Sequence, residues 1–400
     1  MAKQSVVDLD AAGRRALVRV DFNVPLDDGQ NIVDDTRIRA ALPTIERLLA
    51  QGAAVVLMSH LGRPLGARVP ELSLEPVAVR LSELLGREVA MAADCVGSDV
   101  VAQAAALAPG QILLLENLRF HAAEEQNAEA FARQLAALGD LYVNDAFGAA
   151  HRAHASTEGV THHVARAVSG LLMEREIAYI DDALRQPQRP FTAILGGAKI
   201  SGKIEVVEHL LDKVDALLIG GGRSYTFFKA LGLEIGDSLF EEDRIDTARQ
   251  VIDQAEARDL ELSLPIDCVV AERFAADART QVVPRDALPV GWEGVDIGPA
   301  TRALYAEKIA AGGTVVWNGP LGVFEMEPFA RGTRAVGAAL AVATKAGAVS
   351  IIGGGDTAAA LAAAGLAEGM THISTGGGAS LECMGGRVLP GVAAVADKEN

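Results

Sequence analysis

Val349-Ser-Ile-Ile-Gly-Gly-Gly-Asp-Thr357 reads as an apolar strand that runs into three glycines, and the Ala-rich residues after Thr357 read as a helix. Strand, glycine turn and helix in that order form half of a βαβ unit, and the order recurs along the 400 residues. In the first half the spacing predicts strands at Ala16–Phe22, Ala53–Ser59, Ile112–Glu116 and Leu141–Asp145. Helices are expected at Thr36–Gln51 and Ser73–Leu85, with Thr36 and Ser73 as N-caps and Gly52 and Gly86 just past the ends. In the second half the strands are Phe191–Leu195, Ala216–Ile219, Pro265–Val270, Thr314–Trp317 and Val349–Ile352.

The alternation pauses at Leu171–Arg185, a helix-like stretch ending in Gln186-Pro-Gln-Arg-Pro190. A chain of this length with half its residues apolar can bury two cores, so the domain boundary is expected in that helix. The fold class is α/β: two Rossmann-like three-layer parallel-sheet domains joined by a helical hinge.

The net charge of −17 argues against a nucleic-acid or membrane partner, since both select basic surfaces. No apolar run reaches bilayer length and the start lacks the apolar core of a signal peptide, so a cytoplasmic location is expected. Cys95, Cys268 and Cys383 form no CxxC pair and read as buried or idle thiols. Any anionic ligand must be held by a local cluster of positive charge. Residues 1–170 hold fourteen Arg and a single Lys, and Arg suits forked grips on carboxylate and phosphate.

Polar or glycine-rich clusters follow almost every strand, at the carboxyl ends where open α/β sheets bind ligands. The first-half clusters carry Arg and His, the second-half clusters Gly, Lys and Asp, which suggests one ligand per domain. Arg37, Arg63, Arg119 and Arg152 each follow a strand, and together would suit a small ligand with phosphate and carboxylate groups; Asp21, Asn23 and His60 could hold its other oxygens. His151 and His154, three apart, lack the Cys or carboxylate partners of a metal site and read as hydrogen-bonding neighbours of Arg152.

Gly353-Gly-Gly-Asp-Thr357 would point backbone N–H groups and a helix N-terminus at a phosphate, with Asp356 able to hold Mg²⁺. Gly197-Ala-Lys-Ile-Ser-Gly-Lys203 has P-loop spacing, but Ile204 stands where a Mg²⁺-binding Ser or Thr belongs. What remains is a pair of cations, Lys199 and Lys203, four residues apart. Glu325 could meet ribose hydroxyls. Gly353-x-Gly355-x-x-Ala358 also fits a loose dinucleotide fingerprint, so hydride transfer stays an alternative, as does a non-catalytic two-lobed binding protein.

Ten segments in order resemble the phosphoglycerate kinase family, from about residue 5 to about residue 395: Asp21-Phe-Asn-Val-Pro, Ser59-His-Leu-Gly-Arg-Pro, Glu116-Asn-Leu-Arg-Phe, Asn144-Asp-Ala-Phe, Ala150-His-Arg-Ala-His, Leu195-Gly-Gly-Ala-Lys, Ile219-Gly-Gly-Gly, Trp317-Asn-Gly-Pro, Gly353-Gly-Gly-Asp-Thr and Ser374-Thr-Gly-Gly-Gly-Ala-Ser. The resemblance implies reversible phosphoryl transfer between 1,3-bisphosphoglycerate and Mg-ADP, giving 3-phosphoglycerate and ATP in glycolysis, by a cytoplasmic monomer whose two domains close on a hinge. It implies a carboxyl group as acceptor. It places 3-phosphoglycerate at Asp21, Phe22, Asn23, Arg37, His60, Leu61, Gly62, Arg63, Arg119 and Arg152. It places the nucleotide at Gly197, Lys199, Lys203, Gly221, Asn318, Glu325, Gly353, Gly354, Gly355, Asp356 and Thr357, with Mg²⁺ on Asp356. Arg37, Lys199, Lys203 and the N–H groups of Gly354 and Gly377 would meet the transferring group. The family's last segment returns to the first domain, giving expected domains of 1–172 with 380–400, and 173–379. Two departures stand out: Leu65 where Lys is usual, and Arg223-Ser224 where the family more often has Met-Ala, which bears on nucleotide preference.

Overall fold

The computed structural model describes residues 3–199 and 204–398. The chain forms two compact units, one of residues up to Ala178 together with those from Val388 on, the other Tyr179–Arg387.

The first unit is built on β1 (Arg15–Arg19), β2 (Ala54–Met58), β3 (Ala90–Met91), β4 (Ile112–Leu114), β5 (Leu141–Asn144) and β6 (Ala167–Ser169), in the order β3-β4-β2-β1-β5-β6. Every pairing is parallel. Strands buried on both faces must be apolar throughout, which is why β2 reads Ala-Val-Val-Leu-Met. Alternate residues feed two layers. Val18, Val55, Leu57 and Val143 pack with Ile45 and Leu81 of the helices Thr36–Ala50 and Glu75–Leu85. On the other face Leu17, Val56, Met58 and Tyr142 pack with Val100 and Leu135 of the helices Ser98–Ala106 and Glu129–Ala136.

The second unit repeats the design with β7 (Phe191–Leu195), β8 (Ala216–Ile219), β9 (Glu261–Ser263), β10 (Asp267–Ala271), β11 (Thr280–Pro284), β12 (Glu293–Ile297), β13 (Thr314–Asn318), β14 (Val349–Gly353) and β15 (His372–Ile373). Six of these form a parallel sheet in the order β15-β14-β13-β7-β8-β9. One expectation is corrected here. The strand predicted at Pro265–Val270 does not join that sheet; as β10 it pairs antiparallel with β11 and β12 in a separate three-stranded sheet, and an apolar run cannot by itself announce which partner it takes. The chain leaves β7 towards β8 and leaves β13 towards β14, on opposite sides, so a crevice opens between the carboxyl ends of β7 and β13.

The helix Leu171–Arg185 runs from one unit into the other. Its start is held in the first unit, where Asp145 accepts from the N–H groups of Leu172 and Met173 at 2.9 and 3.1 Å and Thr44 accepts from Leu171 N at 2.8 Å. Tyr179, about two turns on, stacks on His372 of the second unit at 4.5 Å. Residues 380–387 lie with the second unit, where Gly385 and Gly386 abut Val206 and His209. From Val388 the chain lies in the first unit: Gly391 N donates to Ala150 O at 2.8 Å, Gln4 N to Ala396 O at 2.8 Å and Ala396 N to Ala167 O at 3.0 Å. The helix caps also differ from expectation. Thr36 is already inside its helix, behind Asp35, and its N–H goes to Asp34 Oδ1; Leu74 stands at the cap where Ser73 was expected.

Leu389 and Val395 are buried, so the last segment closes the first unit's core as well as hydrogen-bonding to it. Leu389→Ala should therefore destabilise that unit by about 2–4 kcal/mol, lowering the urea midpoint of its transition; an unchanged midpoint would show the segment is merely laid on the surface.

Candidate active site

The first unit's site grows from the ends of β1, β2, β4 and β5. Asp21, just past β1, is 8% exposed, and Arg37 from the first turn of Thr36–Ala50 donates through Nη1 to its Oδ1 at 3.0 Å. Burial pushes the Asp21 carboxyl up, but His60, Arg37 and Arg19 outweigh it and hold the carboxyl below its usual range. His60 lies beside Arg19, Nδ1 to Nη2 3.1 Å. Burial first, then the charges of Arg19, Arg119 and Arg37, push the imidazole well below its usual pKa against the pull of Asp21. Arg119 donates through Nη1 to Gly62 O at 2.8 Å, and burial with Arg19 lowers its pKa to about 10. Burial, Arg119, Arg19 and Arg152 lower His154 to about 4. Arg152 donates through Nε to His151 Nε2 at 3.2 Å, which is the pairing the His spacing suggested.

These groups repel one another in a chain whose net charge is −17, so the cluster is a local concentration of positive charge built against the average. Of the expected residues, Asn23 holds the loop after β2, its Oδ1 accepting from Gly62 N at 2.8 Å. Phe22 and Leu61 are buried, and their N–H groups go to Ser59 Oγ and Asn117 Oδ1, so both act as supports. Arg63 is exposed and tied to none of the others by a hydrogen bond or ion pair among the described residues. Arg19 was missed. It is fully buried on β1, with Nε donating to Ser156 Oγ at 2.7 Å, and the signal was an arginine inside an apolar strand. Glu124 was missed too; buried, it accepts from Ser156 N at 3.0 Å and lies among the same charges.

In the second unit backbone takes the place of side chains. Gly196 N donates to Asn318 O at 2.9 Å, Gly197 N to Pro320 O at 2.7 Å and Gly221 N to Leu321 O at 3.2 Å. A Cβ on Gly196 would stand 2.2 Å from Pro320 O and one on Gly319 2.2 Å from Gly196 O, so these strand ends approach more closely than any side chain permits. The crevice holds a cavity of about 290 Å³ whose lining includes Gly197, Gly221, Glu325 and Asp356 with an apolar wall of Leu239, Phe274 and Val323. The sequence reading did not single out that wall, since the exposure of Leu239 and Phe274 is visible only once the chain is folded. Asp296 also lines the cavity, and burial pushes its carboxyl up to about 7 although Gly332 N donates to it at 2.7 Å.

Gly354, with φ of 89°, caps the helix Gly355–Ala363 and exposes Gly355 and Asp356 in its first turn, where backbone N–H groups have no partner within the helix. Gly377, with φ of 51°, heads the helix Gly378–Met384. Asn318 is buried beneath this turn, its Nδ2 2.9 Å from where a Cβ on Gly353 would stand. Thr357 is buried and its Oγ1 accepts from Gly319 N at 2.7 Å, so it ties two loops together. Lys199 is exposed after β7; Lys203 lies outside the described residues.

A family model described as phosphoglycerate kinase matches residues 6–387. The phosphoglycerate kinase of Chlorobium phaeobacteroides (strain BS1) is 56% identical over 397 residues, covering 99% of this chain and 100% of that protein. That of Chloroflexus aurantiacus (strain ATCC 29366 / DSM 635 / J-10-fl) is 58% identical over 401 residues, covering 100% of both. Among solved structures, phosphoglycerate kinase from Coxiella burnetii superposes with a TM-score of 0.88 at 43% identity, and that from Pyrococcus horikoshii OT3 with 0.85 at 32%, each covering 98% of both chains.

The depressed histidines have a pH consequence. In the unfolded chain His154 takes a proton near pH ~6.5, while folded it resists until about 4, so stability is full above ~6.5 and falls as the pH drops towards 4. His154→Gln should shrink the stability lost between pH 7 and 5 by about 1–2 kcal/mol, measured by urea unfolding at each pH. Parallel curves for the two proteins would contradict it.

Proposed function

The chain belongs to the phosphoglycerate kinase family, and from that membership we propose that the Arg-His cluster of the first unit holds 3-phosphoglycerate while the glycine crevice of the second holds the nucleotide. The reaction is reversible phosphoryl transfer between 1,3-bisphosphoglycerate and ADP, giving 3-phosphoglycerate and ATP in glycolysis. The observation that carries the assignment is the gathering of Arg19, Arg37, Arg119, His60 and His154 at and past the strand ends of a strongly acidic chain, with Arg19 Nη2 3.1 Å from His60 Nδ1 and both side chains buried. A ligand with a phosphate and a carboxylate supplies the charge that cluster calls for.

A phosphoryl group in transfer carries its charge on equatorial oxygens through a loose transition state, so positioning and electrostatics do the work. No side-chain nucleophile is required. Asp21 engages one nitrogen of Arg37 and sets its direction, leaving the rest of the fork for an oxygen of that group. Lys199, Lys203 and the N–H groups of Gly354 and Gly377 meet it from the nucleotide side. Asp356 suits Mg²⁺: its exposed carboxylate is a hard oxygen donor at the cavity rim, and an ion that keeps waters and binds phosphates needs only one or two carboxylates. Bound with the nucleotide, Mg²⁺ supplies neutralising charge to the phosphate oxygens.

Because each unit holds one substrate, transfer requires them to close, with Leu171–Arg185 and Ser374–Ser380 as the segments that bend; closure also keeps water from the acyl phosphate. We assign the working form as a cytoplasmic monomer without nucleic-acid or membrane partners. The acidic charge speaks against nucleic-acid and membrane partners, and monomer and location follow from the family resemblance; no helix among the described residues is long and apolar enough to cross a membrane.

ATP-dependent phosphorylation of 3-phosphoglycerate, coupled to NADH oxidation by glyceraldehyde-3-phosphate dehydrogenase, tests the assignment. Arg37→Ala should lower kcat by about 10²-fold or more with nucleotide affinity nearly unchanged; an equal loss in both would make Arg37 an ordinary ligand contact. Closure predicts a smaller radius of gyration by X-ray scattering with both substrates bound than with either alone, and no compaction would remove it.

A further inference from the structure

Strands β3 and β4 are parallel neighbours, Ala90 beside Leu113 and Met91 beside Leu114, so the loops that leave their carboxyl ends start side by side. Ala92 N donates to Leu114 O at 2.9 Å and carries the pairing past β3. The first loop brings Asp94 and Cys95 to the place where the second, after its Leu118–Phe120 turn, brings His121. One carboxylate oxygen of Asp94, Sγ of Cys95 and a ring nitrogen of His121 all lie within 4.8 Å of one another. Among the described residues no other three His, Cys or carboxylate side chains gather in this way. His121 Nε2 is 2.7 Å from Asp94 Oδ1, and the Phe131 ring flanks the imidazole at 5.3 Å. Arg68, the nearby cation, donates to Ala93 O at 2.9 Å and lies 3.8 Å from Glu116 Oε2; Asp94 itself pairs with no Lys or Arg among the described residues. Cys95 is buried while Asp94 and His121 are half-buried, so solvent reaches one side of the trio.

We propose that Asp94, Cys95 and His121 bind a zinc ion, with water in the fourth position. Thiolate, imidazole and carboxylate together select a borderline-soft cation over Mg²⁺ or Ca²⁺, which take oxygen. Tetrahedral bonds of ~2.0–2.3 Å put ligand atoms about 3.3–3.6 Å apart, so the trio needs an adjustment of about 1 Å, within reach of side-chain rotation. On binding, the Cys95 S–H proton leaves to solvent and the Asp94–His121 hydrogen bond gives way to two bonds to the metal. One thiolate and one carboxylate then balance the two charges of the ion. Burial and the Asp94 charge raise the pKa of the Cys95 thiol, which makes it a poor nucleophile and argues against an oxidation or modification role; a coordinated cation deprotonates a thiol outright. His121 ends the turn that carries Arg119, whose Nη1 holds Gly62 O, so the ion braces a loop that serves the first unit's cluster.

The test titrates the full chain, stripped of metal with a chelator that is then removed and kept in excess Mg²⁺, with Zn²⁺ by calorimetry and with Co²⁺ by absorbance. Zn²⁺ should bind at one ion per chain and raise Tm, and Co²⁺ should show a sulfur-to-metal charge-transfer band. Cys95→Ser should abolish the band. Both Cys95→Ser and His121→Gln should lower Zn²⁺ affinity about 100-fold or more, because disturbing even a supporting partner of a ligand costs up to that much. Cys383→Ser should change neither. Absence of binding, binding without the band, a band lost with Cys383→Ser, or an affinity that survives His121→Gln overturns the proposal. Should Cys95→Ser fail to fold in a melt without metal, the less buried His121→Gln decides alone.

Discussion

A parallel sheet covered on both faces meets water only at the ends of its strands, and in both units that restriction decides where chemistry can occur. Val18, Val55 and Leu57 face one helical layer while Leu17, Val56 and Met58 face the other, so a polar side chain within these strands has no cheap place to go. Asp21, His60, Asn117 and Asp145 follow the strands because the strands cannot hold them. Polar residues buried within strands are met there: Ser156 and His60 meet the nitrogens of Arg19 on β1, and Asn144 Oδ1 on β5 accepts from Ala146 N.

The two units build their strand ends differently. The first concentrates charge: burial, and with it the neighbouring arginines, holds His60, Arg119 and His154 below their usual pKa. Asp21 moderates this without cancelling it, since one carboxylate stands among Arg19, Arg37 and His60. The second relies on geometry. Gly196, Gly319 and Gly353 let backbone approach backbone, and the helix from Gly355 offers N–H groups and its dipole.

This difference explains what was legible in the sequence. Gly353-Gly-Gly-Asp and Gly196-Gly stood out because close approach and left-handed backbone demand glycine, and such positions announce themselves by residue type alone. Arg37, Arg119 and Arg152 could be found from their place after strands. Arg19 was marked only as an arginine inside an apolar strand; its role rests on burial and partners, which are tertiary facts. Phe22 and Leu61 fell within matching motifs, yet their side chains serve the core, since a motif fixes a segment and not the direction of each side chain. The antiparallel sheet of β10, β11 and β12 was invisible for a related reason: strand pairing is a choice among partners, and Val269 looks alike in either sheet.

A site made from backbone is also the one whose side chains are free to differ. The second crevice is shaped by glycines and a helix start, so the residues behind Gly197 and Gly221 can change without dismantling it. Arg223 and Ser224 occupy that position. In the first unit the equivalent freedom does not exist, because burial already holds His60, Arg119 and His154 below their usual pKa and the charge of Arg19 bears on all three, so that a change at Arg19 reaches each of them. The second unit's crevice, shaped by backbone, therefore tolerates change in the side chains around it where the first unit's cluster does not.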